Sequence, residues 1–147
     1  MEAIRNGLAR WLDPLRDWYQ RRNTLGARGE RAATRYLRKK RYHIIEAQVR
    51  NLYGEIDIIA VDKRKVVFVE VKTRKSHDAG QPAEAVTAEK QRRITRIALA
   101  FLKHHDLLEH SARFDVVAVT WPKGQKRPEI VHFESAFEAV GNFQMFT

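Results

Sequence analysis

The stretch GEIDIIAVDKRKVVFVEVKTR, residues 54–74, decides the fold because it contains two consecutive strands and the turn that joins them. Residues 54–62 are rich in Ile, Ala and Val, the polar segment that follows has turn chemistry, and residues 67–74 form a run of Val and Phe typical of a strand buried on both faces. Glu70 and Lys72 interrupt this run, where an ionised group is costly unless it is paired or bound to a metal. The sequence therefore indicates a functional site within the sheet.

The rest of the chain alternates between helical and strand patterns. A helix is predicted from Thr24 to about Lys40 and a long helix from about Ala83 or Thr87 to His105, each with an apolar face. Additional strands are predicted at residues 42–50, 113–120 and 129–135, and a final helical turn is predicted at residues 136–140. The tight connections predict an antiparallel three-stranded meander, and the long helix allows a crossover to a parallel strand. The predicted fold is an α/β domain with one mixed sheet flanked by helices.

The first 23 residues have a different character and are predicted to be an amphipathic helical extension to a domain formed by residues 24–147. Asp13 and Pro14 suit the start of a helix, which predicts two short helices in this extension. Its apolar stripe, which includes Trp11 and Trp18, must cover something: the chain's own domain, a second subunit in a homodimer, or a membrane surface.

Composition excludes several classes of protein. With no cysteine in 147 residues, disulfides, thiolate zinc sites and cysteine nucleophiles are excluded. No apolar run approaches the ~20 residues of a membrane span, and no secretory signal pattern is present. The expectation is a cytoplasmic protein with no membrane partner.

The charge is strongly basic and unevenly distributed. The formal net charge is +10, and residues 21–50 contain ten basic residues against two acidic ones. Such a cluster is expected of a protein that binds nucleic acid, most directly DNA. An anionic membrane, an acidic protein partner and a solvated helix face are the alternatives.

Two carboxylates are predicted to meet across the hairpin. If the turn is centred between residues 63 and 64, Asp57 lies opposite Glu70, and Glu55 lies opposite Lys72. Side chains directly opposed in this way have Cβ atoms ~4.5–5.5 Å apart. Two carboxylates held together in a largely dry environment must share a proton or share a cation.

The shared cation predicted here is Mg²⁺ or Mn²⁺, because these hard ions prefer carboxylate oxygens and commonly use only one or two protein carboxylates. Lys72, on the same face, would then reach a phosphate or an attacking water, which suits phosphodiester hydrolysis. One alternative is a cluster of ion pairs without a metal ion, formed by Glu55, Asp57, Glu70 and Lys72. A three-residue turn would shift the register by one and remove the opposition.

The spacing of Asp57 and, thirteen residues on, Glu70-Val71-Lys72 resembles the PD-(D/E)xK signature of restriction-endonuclease-like nucleases, which share an αβββαβ core. The segments GARGERAA, GEIDIIAVD, VFVEVKTR and GQPAEAVTAEKQRRI resemble the YraN family of small bacterial proteins, which is placed beside Holliday-junction resolvases. This resemblance covers residues 24–134. Gly54-Glu55 stands before Asp57 where the nuclease signature has Pro.

The resemblance implies that Asp57, Glu70 and the Val71 carbonyl are metal ligands and that Lys72 is the catalytic lysine. It also implies that Glu30 joins the metal site, directly or through water. The sequence alone favours a different interpretation of Glu30, a solvated helix residue paired with an arginine one turn away.

Other residues are predicted to bind nucleic acid. Gln91 lies on the sheet-facing side of the long helix, where its amide can face the metal site or a phosphate, or can be a satisfied boundary residue. The remaining residues predicted to flank a groove for the nucleic-acid backbone are basic: Arg28, Arg31, Arg74, Lys75, Lys90 and Arg92.

These patterns together predict a metal-dependent endonuclease that hydrolyses DNA, with branched or otherwise structured DNA as the substrate class that the resemblance implies. The alternatives are a nucleic-acid-binding module that keeps the nuclease fold without chemistry, and an accessory factor that acts as a dimer or with a partner enzyme.

Overall fold

The computed structural model describes residues 24–78, 80 and 86–141, and the helical extension and domain boundary predicted at residues 1–23 lie outside them. The elements in chain order are α1 (Leu25–Lys39), β1 (His43–Asn51), β2 (Gly54–Asp62), β3 (Lys65–Arg74), α2 (Ala88–His104), β4 (Ala112–Thr120) and β5 (Glu129–Phe137). The predicted order of helix, three strands, helix and two strands is confirmed. No helix within these ranges is long and apolar enough to cross a membrane.

The five strands form one mixed sheet in the order β1-β2-β3-β4-β5. Neighbouring strands are antiparallel except β3 and β4, which are parallel and are joined through α2. The predicted α/β class, antiparallel meander and helical crossover are therefore confirmed. β3 lies at the centre of the sheet, which explains its nearly continuous apolar sequence.

The turn between β2 and β3 has the predicted length. Lys63, with a φ of 56°, and Arg64 connect Asp62 to Lys65, which are paired across the turn. The ladder then continues to Ile58 opposite Val69, in the register expected from a two-residue turn.

The two helices cover opposite faces of the sheet. Ala33 and Leu37 of α1 belong to one core cluster with Val67 of β3, whereas Ile97 of α2 belongs to the other cluster with Phe68. Because successive strand residues point to opposite faces, this division shows a three-layer arrangement with the sheet in the middle.

The helical turn predicted at residues 136–140 is wrong. Ala136 and Phe137 extend β5 instead, and the Phe137 ring stacks on Phe114 with centroids 4.9 Å apart. A bulge causes this, since β5 places residues 134–136 opposite the single residue Asp115, and Ser135 has a φ of 49°. The bulge turns Phe137 onto the core, a long-range packing effect with no local signature.

Candidate functional site

The site begins where β2 and β3 separate. Their ladder stops at Ile58 and Val69, one position before Asp57 and Glu70. Beyond that point β2 still pairs with β1, and β3 still pairs with β4. Asp57 Oδ2 instead accepts a hydrogen bond of 2.7 Å from the Val71 backbone N–H. A carboxylate thus takes the place of the strand ladder at the opening between the two strands.

The direct oppositions predicted at this position are therefore wrong in detail. Asp57 and Glu70 are not ladder partners, and neither are Glu55 and Lys72. Glu55 lies opposite Arg50 of β1 and accepts a hydrogen bond of 3.0 Å from its guanidinium. Glu55 is therefore not part of the predicted four-residue ion cluster, because at this position β2 pairs with β1 and no longer with β3.

The backbone of β2 changes direction at Asp57. Ile56 packs in the core cluster beneath α2, whereas Ile58 packs in the cluster beneath α1. Residues two positions apart share a face in a regular strand, so the alternation is interrupted at the residue between them. This irregularity turns the Asp57 carboxylate toward β3.

Glu70 is the buried acid of the site, with 7% of its surface exposed. Two amines contact the same oxygen of Glu70. Lys72 Nζ lies 3.4 Å from Oε1, and Lys90 Nζ, from the first turn of α2, forms a close ion pair with Oε1. The side-chain exposures are 8% for Glu70, 21% for Lys72 and 31% for Lys90, so the cluster lies at the edge of the core and is open to solvent on the lysine side.

The electrostatics show that the two acids are close enough to interact. Burial and the charge of Glu70 raise the pKa of Asp57 to about 7, against the lowering effect of the Val71 N–H; Glu30 raises it further and Lys90 lowers it. Burial and the hydrogen bond with Lys90 lower the pKa of Lys72. Burial would also lower the pKa of Lys90, but its bonds to Glu70 and Lys72 outweigh burial and raise it. The surroundings of Asp57 thus disfavour its ionised form.

Glu30 lies in α1 beside this site, and its charge contributes to the raised pKa of Asp57. The partner that the structure gives Glu30 is Gln48, whose amide donates a hydrogen bond of 2.8 Å to Oε2. Gln48 has a φ of 54° within β1. No sequence signal marks Gln48, because a left-handed residue within a strand has no signature in the pattern of side chains.

Lys90 was predicted only as a residue that contacts a nucleic-acid backbone, whereas the structure brings it to Glu70. The sequence contains a signal for this position. Lys90 precedes Ile94 by four residues and Ile97 by seven, which places it on the buried face of α2.

The other residues predicted to bind nucleic acid divide into two groups. Arg28 lies 4.7 Å from the centroid of the Trp121 ring, Arg74 donates to the Gly80 carbonyl at 2.6 Å, and Gln91 donates to the Val86 carbonyl at 3.0 Å. The remaining three have exposed side chains: Arg31, Lys75 and Arg92.

A divalent ion fits the donor set at the opening. Asp57 and Glu70 would supply carboxylate oxygens, and Val71 would supply a backbone carbonyl. The N–H and C=O of a strand residue point to the same side, so the Val71 carbonyl faces β2 as its N–H does. No group of three or more His, Cys, Asp and Glu side chains within residues 24–78, 80 and 86–141 is arranged to hold a metal ion. Two carboxylates and a carbonyl suit Mg²⁺ or Mn²⁺, which complete their coordination with water or phosphate.

Comparison with known proteins places the site within a shared segment. The family described as "Uncharacterised protein family UPF0102" matches residues 29–119. A UPF0102 protein of Rhodopirellula baltica is 46% identical over 138 residues, covering 86% of this chain and 83% of that protein. A UPF0102 protein of Geobacter metallireducens is 48% identical over 115 residues, covering 78% of this chain and 93% of that protein. Glu30, Asp57, Glu70, Lys72 and Lys90 all lie within the matched residues.

Proposed function

The chain belongs to the UPF0102 family, and we propose that it is a metal-dependent endonuclease that hydrolyses phosphodiester bonds in DNA. The observation that carries this proposal is the opening between β2 and β3. At that point the Asp57 carboxylate bonds to the N–H of Val71, the residue after Glu70, and the amines of Lys72 and Lys90 contact the Glu70 carboxylate. The ion pairs of Glu70 with Lys72 and Lys90 do not explain why a second acid, Asp57, lies beside them in an environment that disfavours its charge. A site for a cation does explain it.

Each residue has a role in this proposal. Asp57, Glu70 and the Val71 carbonyl would hold Mg²⁺ or Mn²⁺. Such an ion supplies Lewis acidity, which lowers the pKa of water and neutralises charge on a phosphate. The Val71 N–H fixes the orientation of the Asp57 carboxylate through its 2.7 Å hydrogen bond.

Lys72 is the residue that would act on the substrate. Its Nζ is held 3.4 Å from Glu70 Oε1, beside the ligands, where it can donate a hydrogen bond to an attacking water or a phosphate oxygen. Its lowered pKa means that it releases a proton more readily than an ordinary lysine. A positively charged donor at this position stabilises charge that develops on the phosphate during attack.

The sequence resemblance supports the same reaction. Asp57 and the Glu70-Val71-Lys72 tripeptide match the PD-(D/E)xK pattern in spacing, and the αβββαβ order of elements agrees with the core of those nucleases. The likeness to the YraN family, beside Holliday-junction resolvases, favours branched DNA as the substrate. A net charge of +10 and the exposed side chains of Arg31, Lys75 and Arg92 suit a polyanionic partner.

The test is cleavage of a panel of labelled DNAs, comprising linear duplex, single-stranded, flapped and four-way forms, with Mg²⁺ and with Mn²⁺. Wild-type protein is expected to cut at least one of them. Glu70→Gln is expected to lower the rate about 10³-fold or more, and Lys72→Met about 10²-fold or more, because these changes remove a metal ligand and a charge-stabilising donor. Absence of cleavage by wild-type protein under every condition would refute the proposal.

A second candidate function is a nucleic-acid-binding module without chemistry. One observation favours it: both lysines already neutralise Glu70, which gives that carboxylate a satisfied structural role. Salt-sensitive DNA binding together with a lack of Mn²⁺ binding in calorimetry would support this candidate over the nuclease.

A further inference from the structure

We propose that Lys90 is the resident counter-ion of the Glu70 carboxylate, that a divalent ion must displace it to bind, and that the released amine then contacts the substrate phosphate. This inference rests on the proposed metal site, and it makes Lys90 a gate for metal entry. Three observations carry it: the contact that Lys90 makes, its place on α2 and the balance of charge around it.

The contact occupies an oxygen that a metal ion would use. Lys90 Nζ pairs with Glu70 Oε1, which also receives Lys72 Nζ at 3.4 Å. A carboxylate that is 8% exposed and already contacted by two amines has little access left for a dication. Lys72 belongs to the same strand as Glu70, two residues on, so its amine stays near this carboxylate. Lys90 comes from another element, and its side chain is the more exposed of the two.

The place of Lys90 on α2 runs against helix electrostatics. The first turn of a helix carries a partial positive charge and favours acidic residues, yet Lys90 lies in the first turn of α2. Thr87 caps the helix by accepting a hydrogen bond of 3.2 Å from the Lys90 backbone N–H. The backbone of Lys90 is therefore fixed while its flexible side chain ends in the site. The ion pair with Glu70 therefore holds the Lys90 amine at a helix N-terminus that disfavours positive charge.

The balance of charge around a bound dication favours release of one amine. Ionised Asp57 and Glu70 are matched by the charges of Lys72 and Lys90, so a dication added to all four leaves two positive charges in a half-buried site. Release of Lys90 toward solvent removes one of these charges. A phosphate of the substrate then neutralises the other and provides the amine with a new partner. Metal binding and phosphate binding would each favour the released position of Lys90.

The experiment measures Mn²⁺ affinity by calorimetry for wild-type protein and three variants. Lys90→Met removes the amine but keeps an unbranched side chain, and Lys90→Arg keeps the charge. Lys103→Met removes an exposed positive charge in the last turn of the same helix, ~20 Å away by the rise per residue. Thermal unfolding establishes that each variant is folded, and Lys90→Gln replaces Lys90→Met if that variant is not.

Lys90→Met is expected to bind Mn²⁺ about tenfold more tightly than wild-type protein, because an adjacent charge of this kind changes the proton affinity of a carboxylate by ~1–3 pKa units. Lys90→Arg and Lys103→Met are expected to stay within about twofold of wild type. Binding by Lys90→Met in the absence of binding by wild-type protein also supports the inference.

Equal Mn²⁺ affinity in wild-type protein and Lys90→Met would overturn the inference and leave the proposed metal site standing. An equal gain in Mn²⁺ affinity in Lys103→Met would also overturn the inference, because the gain would then come from the lower net charge of the protein and not from the position of Lys90. If neither wild-type protein nor any Lys90 variant binds Mn²⁺, the inference and the proposed function fail together.

Discussion

Asp57 is a residue whose environment opposes its own charge. Burial and the neighbouring Glu70 raise its pKa to about 7, although the Val71 N–H bonds to its carboxylate. A fold without a use for this carboxylate would be more stable with an uncharged residue at the position. A substitution of Asp57 therefore measures how much the proposed site lowers the free energy of unfolding.

Asp57→Asn is expected to stabilise the protein in the presence of a chelator at pH 8. Between pH 4 and 7 the folded protein keeps a proton on Asp57 that the unfolded chain has released, so the free energy of unfolding of wild-type protein falls as the pH rises through this window. Asparagine has no such titration and can still accept the Val71 hydrogen bond. The gain at pH 8 should be on the order of 2 kcal/mol, measured by urea unfolding.

The same comparison at pH 4 provides the control, because Asp57 is then neutral in the folded protein and the two proteins should have nearly equal stability. A lower free energy of unfolding for Asp57→Asn at pH 8 would show that the ionised carboxylate stabilises the fold. That result would contradict both the raised pKa of Asp57 and the unfavourable interaction between the Asp57 and Glu70 carboxylates.

At the scale of elements, α1 packs closely against β3 through Gly29. A Cβ added at Gly29 would overlap Thr73 Oγ1, whereas a Cβ added at Gly26 meets no atom within 4 Å. Gly29 therefore allows the helix that carries Glu30 to lie directly on the strand that carries Glu70. This close approach, and not a turn, explains the glycine in the middle of α1.

Gly29→Ala is expected to lower the free energy of unfolding by about 2 kcal/mol through overpacking. Gly26→Ala, the matched change one turn earlier in the same helix, should be neutral or stabilising by up to about 1 kcal/mol. Thr73→Ala removes Oγ1 and should restore part of the stability of Gly29→Ala. Equal effects of the two glycine substitutions in urea unfolding would contradict the close approach of α1 to β3.

β4 contains a second buried acid, Asp115, which is fully satisfied. It accepts hydrogen bonds from Arg113 Nε at 3.0 Å and the Ser135 backbone N–H at 3.0 Å, and His132 Nε2 lies 2.8 Å from its other oxygen. Burial alone would raise the pKa of Asp115, but the bonds with His132 and Arg113 lower it below its usual range. These bonds hold the β5 bulge in place, which is a structural role.

Asp115→Asn is expected to lower the free energy of unfolding by about 3 kcal/mol at pH 7, because a buried ion pair loses one partner. The pKa of Asp115 is depressed, so its contribution is present above the ordinary value near 4 and is lost as the pH falls below it. The difference in the free energy of unfolding between wild-type protein and Asp115→Asn should therefore decrease in acid. Arg50→Ala, which breaks an exposed pair with Glu55, should cost less than about 1 kcal/mol.

The elements themselves were predictable from the sequence, and the positions where strands part were not. Alternating apolar residues and the polar turn at Lys63 and Arg64 led to the correct register from Asp62–Lys65 to Ile58–Val69. The separation beyond Ile58 depends on the pairing of β2 with β1 and on the left-handed Gln48 opposite that region. Both are long-range features, so the sequence led to the register of the hairpin but not to the point at which β2 and β3 separate.

For the whole molecule, the excess of 28 basic over 18 acidic residues predicts salt-dependent binding to DNA. Arg31, Lys75 and Arg92 follow Glu30, Lys72 and Lys90 in the chain by one to three residues, whereas Arg64 and Lys65 lie around the start of β3 and Lys103 lies in the last turn of α2; all six are exposed. The two sets carry equal charge and lie at different positions in the chain.

Replacing Arg31, Lys75 and Arg92 with Gln is expected to reduce the slope of log K against log salt concentration by about 3, or about 1 for each DNA phosphate that is no longer neutralised. The same replacement of Arg64, Lys65 and Lys103 should change the slope by less than about 1. The measurement is fluorescence anisotropy with duplex DNA in a chelator. Equal effects of the two sets would mean that DNA binds without preference for the face that holds the site.

The proposed function requires Asp57 and Glu70 to hold one divalent ion at the opening between β2 and β3. The most direct test is anomalous diffraction from crystals of the protein soaked in Mn²⁺. The expected result is an anomalous peak that contacts both carboxylates and the Val71 carbonyl, with the Lys90 amine moved away from Glu70. Density that shows no ion at this position at saturating Mn²⁺, with Lys90 still paired to Glu70, would contradict the claim.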